Sequence, residues 1–267
     1  MNIIDKKFFD IHSHVIAGID DGAQSAADSL TMLKQACDSG TRYIAATPHV
    51  IWNEHQPQWT VICEECKKLN GYLKSAGINI TVVSGAEVAL TPELLDEIKP
   101  GEYCLNSGKY MLVELPMLQM PQYAEKVIFG LQTKGIRLIM AHPERYPEVV
   151  KNPEIVLDWL HKGLLLQVNS KSITGLFGPE IQKCVLMLLE NQVVSFVASD
   201  AHSIRGRNTK LLSAYEEVAV KFGAEYAEQI FITNSRAVFK SENVVVTKPE
   251  RLILPRQKGF FYKFFGR

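Results

Sequence analysis

The feature that most constrains this chain is an alternation repeated seven times. Short apolar, β-branched runs recur along it: KFFDIH from Lys7, RYIAAT from Arg42, ITVVSG from Ile80, YMLVEL from Tyr110, RLIMAH from Arg137, LLLQVN from Leu164 and VSFVAS from Val194. Segments with helical periodicity lie between them. In residues 26–39 the apolar positions Ala26, Leu30, Leu33, Ala36 and Cys37 share one helical face, and Gly40 supplies a stop. Residues 153–162 open with Pro-Glu and end at Gly163, and residues 179–191 carry Ile181, Val185, Leu188 and Leu189 on one stripe. Seven β-then-α units in series predict an α/β chain with a parallel sheet and right-handed crossovers. A length of 267 residues suits a one-domain α/β barrel, typically about 250 residues. The expectation is a closed barrel one unit short of the usual eight, with a doubly wound open sheet as the alternative.

Nearly every run ends in a residue able to hold a metal ion. His12 and His14 follow the first, His49 the second, Glu87 the third; Glu114 sits in the fourth, His142 ends the fifth, and Asp200 and His202 follow the seventh. In a parallel barrel the C-terminal ends of all strands share one rim, so these separated pieces converge on one mouth. His12 and His14, two apart in extended chain, project from the same face. Asp20-Asp21-Gly22 follows in the first loop, close enough to reach over the rim. A lone histidine at a strand end is ordinarily a satisfied or solvated residue. Five of the seven histidines in that position make a common purpose the better reading; His55, in a loop, and His161, late in a helix, are read as structural or solvated. Imidazole and carboxylate without thiolate favour Mn²⁺, Fe²⁺ or Zn²⁺. The set exceeds what one ion can use, so two or three ions are expected, with Glu87 and Glu114 as bridges. A metal pair suits in-line displacement at phosphorus, and Arg145 and Arg207, close behind His142 and Asp200, offer guanidinium forks for phosphate oxygens, with Arg205 competing for the second place.

Composition narrows the partners. Lys and Arg number 29 against 29 Asp and Glu, a net charge of zero, which disfavours a general nucleic-acid binder. The charge is uneven: from residue 247 onward Lys248, Arg251, Arg256, Lys258, Lys263 and Arg267 oppose only Glu250. The expected division is a barrel over residues 1–243 and a basic, aromatic tail over residues 244–267, whose KGFFYKFFGR ending could touch an anionic membrane surface, although a flexible or back-packed end is the plainer reading. The five cysteines are irregularly spaced, and Cys63 and Cys66 are read as free thiols on one helix. No signal-peptide pattern or membrane span is visible, so a cytoplasmic protein is expected.

DIHSH (from Asp10), IDDG (from Ile19), ATPH (from Ala46), GAEV (from Gly85), VELP (from Val113), AHPER (from Ala141) and SDAH (from Ser199) together resemble the PHP-type metal-dependent protein-tyrosine phosphatases of the CpsB/CapC/YwqE type, found in bacterial capsule and exopolysaccharide loci. The resemblance spans about Phe8 to Phe239; His-x-His alone is weak, the ordered set is strong. It implies a distorted (β/α)7, TIM-like barrel (PHP fold) and three metal ions, usually Mn²⁺, with Fe²⁺, Zn²⁺ or Co²⁺ as alternatives. It implies that His12, His14, Glu87 and Asp200 hold one ion, Glu87, Glu114 and His142 a second, and Asp21, His49 and His202 a third, with Arg145 and Arg207 on the phosphate. The implied substrate is phosphotyrosine, on a bacterial tyrosine autokinase that controls capsule or exopolysaccharide synthesis. A small-molecule phosphoesterase, such as a histidinol-phosphate phosphatase on the same scaffold, is the alternative, and a non-enzymatic metal-stabilised adaptor is a remote third. One check is independent of the resemblance. Cysteine-based tyrosine phosphatases need Cys, five residues, then Arg, and no cysteine here has that spacing; Cys37 and Arg42 come nearest with four.

Overall fold

The computed structural model describes residues 7–115, 120–244 and 246–253. The strands are β1 (Phe8–Asp10), β2 (Thr41–Ala46), β3 (His49–Val50), β4 (Thr81–Ser84), β5 (Glu87–Ala89), β6 (Tyr110–Glu114), β7 (Arg137–Ala141), β8 (Leu165–Asn169) and β9 (Phe196–Ala198). All ladders between them are parallel, and helices fill the connections, as the alternation predicts. Two of the seven expected strands are broken: β3 continues β2 past Thr47-Pro48, and β5 continues β4 past Gly85-Ala86. One ladder therefore runs β1-β2-β4 and the other β3-β5-β6-β7-β8-β9. The ring closes where Ser13, beyond β1, bridges Ala201, beyond β9, with Asp200 N–H donating to the His12 carbonyl at 2.9 Å.

The distortion has a local cause. β4 and β6 are not paired, and Leu105, from a short turn ahead of β6, stands against Gly85; a Cβ there would lie 2.8 Å from Leu105 Cδ2. Glycine at 85 lets a side chain fill the gap that a continuous strand would have closed. Strand positions alternate as a barrel requires. Met111, Val113, Leu138, Met140, Leu166 and Val168 pack outward under the helices. Ile11, Tyr110, Leu112, Ile139, Leu165 and Phe196 pack inward as a second core. Burial on both faces is why the strands read as apolar runs rather than alternating ones.

The helical segments fall where expected: Ala26–Asp38 capped by Ser25, Ile155–His161, and Pro179–Glu190 with proline in its first turn. Cys63 is half-buried and Cys66 buried on the helix Trp59–Ser75, both as free thiols. Among the described residues no helix is long and apolar enough to cross a membrane. Residues just beyond 243 lie against the barrel: Val244 joins the inner core, Leu252 the outer one, and Ile253 exchanges backbone hydrogen bonds with the Asn191 side chain. The KGFFYKFFGR segment lies outside the described residues.

Candidate metal centre

Beyond β1 the chain stays extended, and His12 and His14 turn their rings into the mouth. Their Nε2 atoms stand 3.2 Å apart. Each ring is oriented from behind: His12 Nδ1 donates to Gln167 Oε1 at 2.8 Å, and His14 Nδ1 to Asp20 Oδ2 at 2.7 Å. A hydrogen bond at Nδ1 leaves the Nε2 lone pair facing inward. Glu87 Oε2 lies 3.2 and 3.4 Å from the two Nε2 atoms, and Asp200 Oδ1 lies 3.4 and 3.5 Å from them. Two donors each about 2.1 Å from one ion are separated by about 3.0 Å at a right angle and about 3.4 Å at the tetrahedral angle. These four side chains have that spacing.

Two further groups adjoin the first. His49, Glu87 and Glu114 gather with His49 Nδ1 3.2 Å from an oxygen of each acid. His14, Asp21, His49 and His202 gather around Asp21 Oδ1, which is 3.2 Å from His202 Nε2 and 3.5 Å from His49 Nε2. All nine carboxylate and imidazole residues expected from the sequence therefore reach the same mouth. Their grouping differs in two places. His49 takes the place beside Glu114, while His142 meets the other oxygen of Glu87, Nε2 to Oε1 at 2.7 Å, and His14 joins the Asp21 group. The backbone of His142 is left-handed (φ 35°) and starts the tight turn Pro143–Arg145, which aims its ring at Glu87. Asp200 is left-handed too (φ 48°). Conformations that cost non-glycine residues on the order of 1 kcal/mol or more sit where two strands end at the site. Gly22 is needed for another close approach, since a Cβ there would lie 2.2 Å from the His14 carbonyl oxygen.

Both expected arginines converge on Asp200. Arg145 Nη1 donates to Oδ2 at 3.1 Å, and Arg207 Nη2 to Oδ1 at 2.8 Å. Arg145 also lies over the Phe177 ring, 5.1 Å from its centroid. Arg205 is exposed and takes no part in this pair. Four contributors were given no individual role from the sequence. Asp20 is the partner of His14, Gln167 of His12, and Asn169 of Asp200, while Phe177 underlies Arg145. Only Asp20 left a signal, as the first acid of Asp20-Asp21-Gly22.

The electrostatics keep the acids of the site ionised. Burial opposes ionisation of Glu87, but His12 and His142 outweigh it and hold the carboxyl well below the usual range. Asp200 behaves alike, with His12, His14 and Arg207 outweighing its burial. Burial opposes the His14 imidazolium too, yet Asp20, Asp200 and Glu87 raise it well above an ordinary histidine. Burial and His14 push His202 down to about 3, keeping it neutral and able to ligate. Without ions, protons would have to balance these carboxylates. Glu87 Oε2, His142 Nδ1 and His202 Nε2 are buried with no hydrogen-bond partner. Orphaned acceptors at ligand spacing fit divalent ions, and hard oxygen plus imidazole donors fit Mn²⁺, Fe²⁺ or Zn²⁺.

Relatives share the whole barrel. Tyrosine-protein phosphatase YwqE of Bacillus subtilis is 32% identical over 253 residues, covering 94% of this chain and 99% of its own. Tyrosine-protein phosphatase CpsB of Streptococcus pneumoniae is 28% identical over 239 residues, covering 87% and 98%. A solved structure from work on YwqE of B. subtilis and CpsB of S. pneumoniae, metal-dependent tyrosine phosphatases, superposes with a TM-score of 0.86 at 31% identity, covering 92% of this chain and 99% of the other. Residues 8–240 match the family of capsular polysaccharide synthesis proteins CpsB/CapC, and the chain belongs to that family.

Proposed function

We propose that this protein is a metal-dependent protein-tyrosine phosphatase that uses Mn²⁺, three ions in all, and acts in the cytoplasm on phosphotyrosine of a bacterial tyrosine autokinase governing capsule or exopolysaccharide synthesis. The observation that carries the reading is the joint placement of ligand-spaced acids and imidazoles with two guanidinium groups at one mouth. His12, His14, Glu87 and Asp200 would hold one ion; Glu114, His49 and His142, around Glu87, a second; Asp21, His49 and His202, with His14, a third. Bound there, divalent ions supply Lewis-acid charge to phosphoryl oxygens and acidify water at neutral pH.

The protein's own groups do the rest. Arg145 and Arg207 are held beside the ligand Asp200, so their unused N–H donors are preset to take phosphoryl oxygens at the centre. Asp20 and Gln167 hold the His14 and His12 rings in place, so little reorganisation accompanies the reaction. A phenolate leaving group, with an ordinary pKa near ~10, departs with far less proton donation than an alkoxide. That matches aryl over alkyl esters, and YwqE and CpsB bear the name tyrosine-protein phosphatase.

The test is metal analysis of the purified protein, then hydrolysis of phosphotyrosine and phosphoserine peptides with added Mn²⁺ and after chelation. Fast, chelator-sensitive release from phosphotyrosine alone is expected. Equal rates on both peptides, or better turnover of phosphometabolites such as histidinol phosphate, would replace this reading with a small-molecule phosphoesterase.

A further inference from the structure

β8 is the one strand of the seven that ends without an expected ligand, yet its inward face is polar. Gln167 and Asn169, two apart and so on one face, are both fully buried, as is Glu144 across from them. Their hydrogen bonds form a directed chain. Asn169 Nδ2 donates to Asp200 Oδ2 at 2.6 Å, Gln167 Nε2 donates to Asn169 Oδ1 at 2.9 Å, and Gln167 Oε1 meets His12 Nδ1 at 2.8 Å. Asn169 N–H donates to Glu144 Oε1 at 2.9 Å, and Ser172 Oγ donates to the same oxygen at 2.6 Å.

The direction of this chain is fixed at one end. An ionised Asp200 accepts and cannot donate, so the amide nitrogen of Asn169 must face it. Asn169 Oδ1 then faces Gln167, whose nitrogen must answer it, and Gln167 Oε1 is left for His12. An oxygen there requires a proton on His12 Nδ1, which leaves the lone pair on Nε2, the atom 3.2 Å from His14 Nε2. His12 and Asp200 belong to the same four-residue group. We propose that Gln167 and Asn169 form an amide ladder that makes the charge of Asp200 dictate the tautomer of His12, so that two ligands of one ion are set together from behind. Glu144 ties the Asn169 rung of the ladder to the turn Pro143–Arg145, and so holds Arg145 in the same frame. Gln167 and Asn169 are positioning residues: they act through His12 and Asp200.

The inference rests on the metal-centre reading, and the experiment separates the two. Metal-stripped wild type and the near-isosteric Gln167→Met variant are titrated with Mn²⁺ alone, followed by the electron paramagnetic resonance of the free ion. Outer-shell partners of ligating histidines are typically worth 10–100-fold in metal affinity, and a loss of about that size at one ion is expected for Gln167→Met, with the other ions unmoved. A wild type that binds no Mn²⁺ sinks the metal centre itself. A wild type that binds, beside a variant that binds equally, sinks the ladder alone. A second measurement needs no variant: a long-range ¹H–¹⁵N spectrum of metal-stripped wild type at alkaline pH, where imidazoles are neutral, should show His12 protonated at Nδ1. Protonation at Nε2 overturns the proposal even if Gln167→Met fails to fold.

Discussion

The lower and upper halves of the barrel interior are lined by the same strands under opposite rules. Below, Tyr110, Ile139, Leu165 and Phe196 pack into an apolar floor with Val238, Phe239 and Val244, and the Tyr110 hydroxyl is satisfied by the Glu242 carbonyl and Val244 N–H. Above, carboxylates and imidazoles crowd together, and several buried atoms have no hydrogen-bond partner. The change takes two or four residues along a strand: Leu112 to Glu114, Leu165 to Gln167 and Asn169, Phe196 to Asp200. Because the strand period is two, one face carries both halves. The floor packs by apolar burial, whereas the rim holds charged groups that partly balance one another, as Asp20 does His14 and Arg145 and Arg207 do Asp200.

Substitutions should therefore split by height. The largest effect is expected at the rim, from Glu87→Gln. Glu87 faces His12, His14, His49 and His142 at once. Its amide would present donors to nitrogens that need an anion, so bound metal should fall and phosphotyrosine hydrolysis should drop on the order of 10³-fold or more, as when one member of a concerted set is removed. Metal content by mass spectrometry and turnover of a phosphotyrosine peptide check it. Retained metal with near-normal turnover would erase the distinction between rim and floor.

Next comes the floor. Leu165→Ala removes a side chain 1% exposed and should cost about 2–5 kcal/mol of stability through lost burial and a residual cavity. Turnover per folded molecule should be unchanged at permissive temperature. Urea unfolding beside active-site titration tests this, and a loss of turnover without a loss of stability would break the comparison.

The rim and the apolar layer under the helices, outside the floor, also carry groups with opposite pH dependence. Glu87 and Asp200 are held below their ordinary values of 4.5 and 3.8, so the unfolded chain takes up protons first as pH falls, and stability present above about pH 4 is lost in acid. In the apolar layer under the helices, burial pushes the Cys66 and Cys184 thiols up to about 12 and Cys104 to about 11, from 9.0. Below pH 9 both states hold these protons. Above it the unfolded chain loses them first, and stability drains away as pH climbs toward 11–12. Urea midpoints across pH should show both limbs, with the acid limb flattened in Glu87→Gln and the alkaline limb retained. An alkaline limb that flattened with it would mean that the rim sets both limits.

How much of this was legible follows the same division. Apolar runs with helical segments between them specify a parallel α/β sheet covered on both faces, which a barrel and a doubly wound sheet share; the ring of ligands at the strand ends favoured the barrel. The strand ends were legible because His12, His49, His142 and Asp200 stand where an apolar run stops. What the sequence hides is lateral. It says which strand end a residue occupies, not which neighbours it leans toward, so the place of His49 between Glu114 and Asp21 is not read from it. Gln167 and Asn169 were hidden because an uncharged amide inside an apolar run carries no sign of a task; only the positions of His12 and Asp200 reveal it. The break after β4 was missed because Leu105, which fills the gap beside Gly85, comes from a turn twenty residues further on.

The smallest expected effect is a control on height itself. His161 ends the helix Ile155–His161, which returns the chain from the C-terminal end of β7 to the start of β8, so it lies at the foot of the barrel. It is exposed, and it borders a shallow surface hollow with Gln132, Arg137 and Lys162 instead of the mouth. An exposed side chain clear of caps, cavities and buried networks usually contributes no more than about 0.5 kcal/mol. His161→Ala should thus leave Mn²⁺ content and phosphotyrosine turnover as in wild type, while His142→Ala, on the adjoining strand end, loses both. Equal losses in the two variants would mean that any histidine can disturb metal loading, whatever its height in the barrel, and that the rim is not the metal centre.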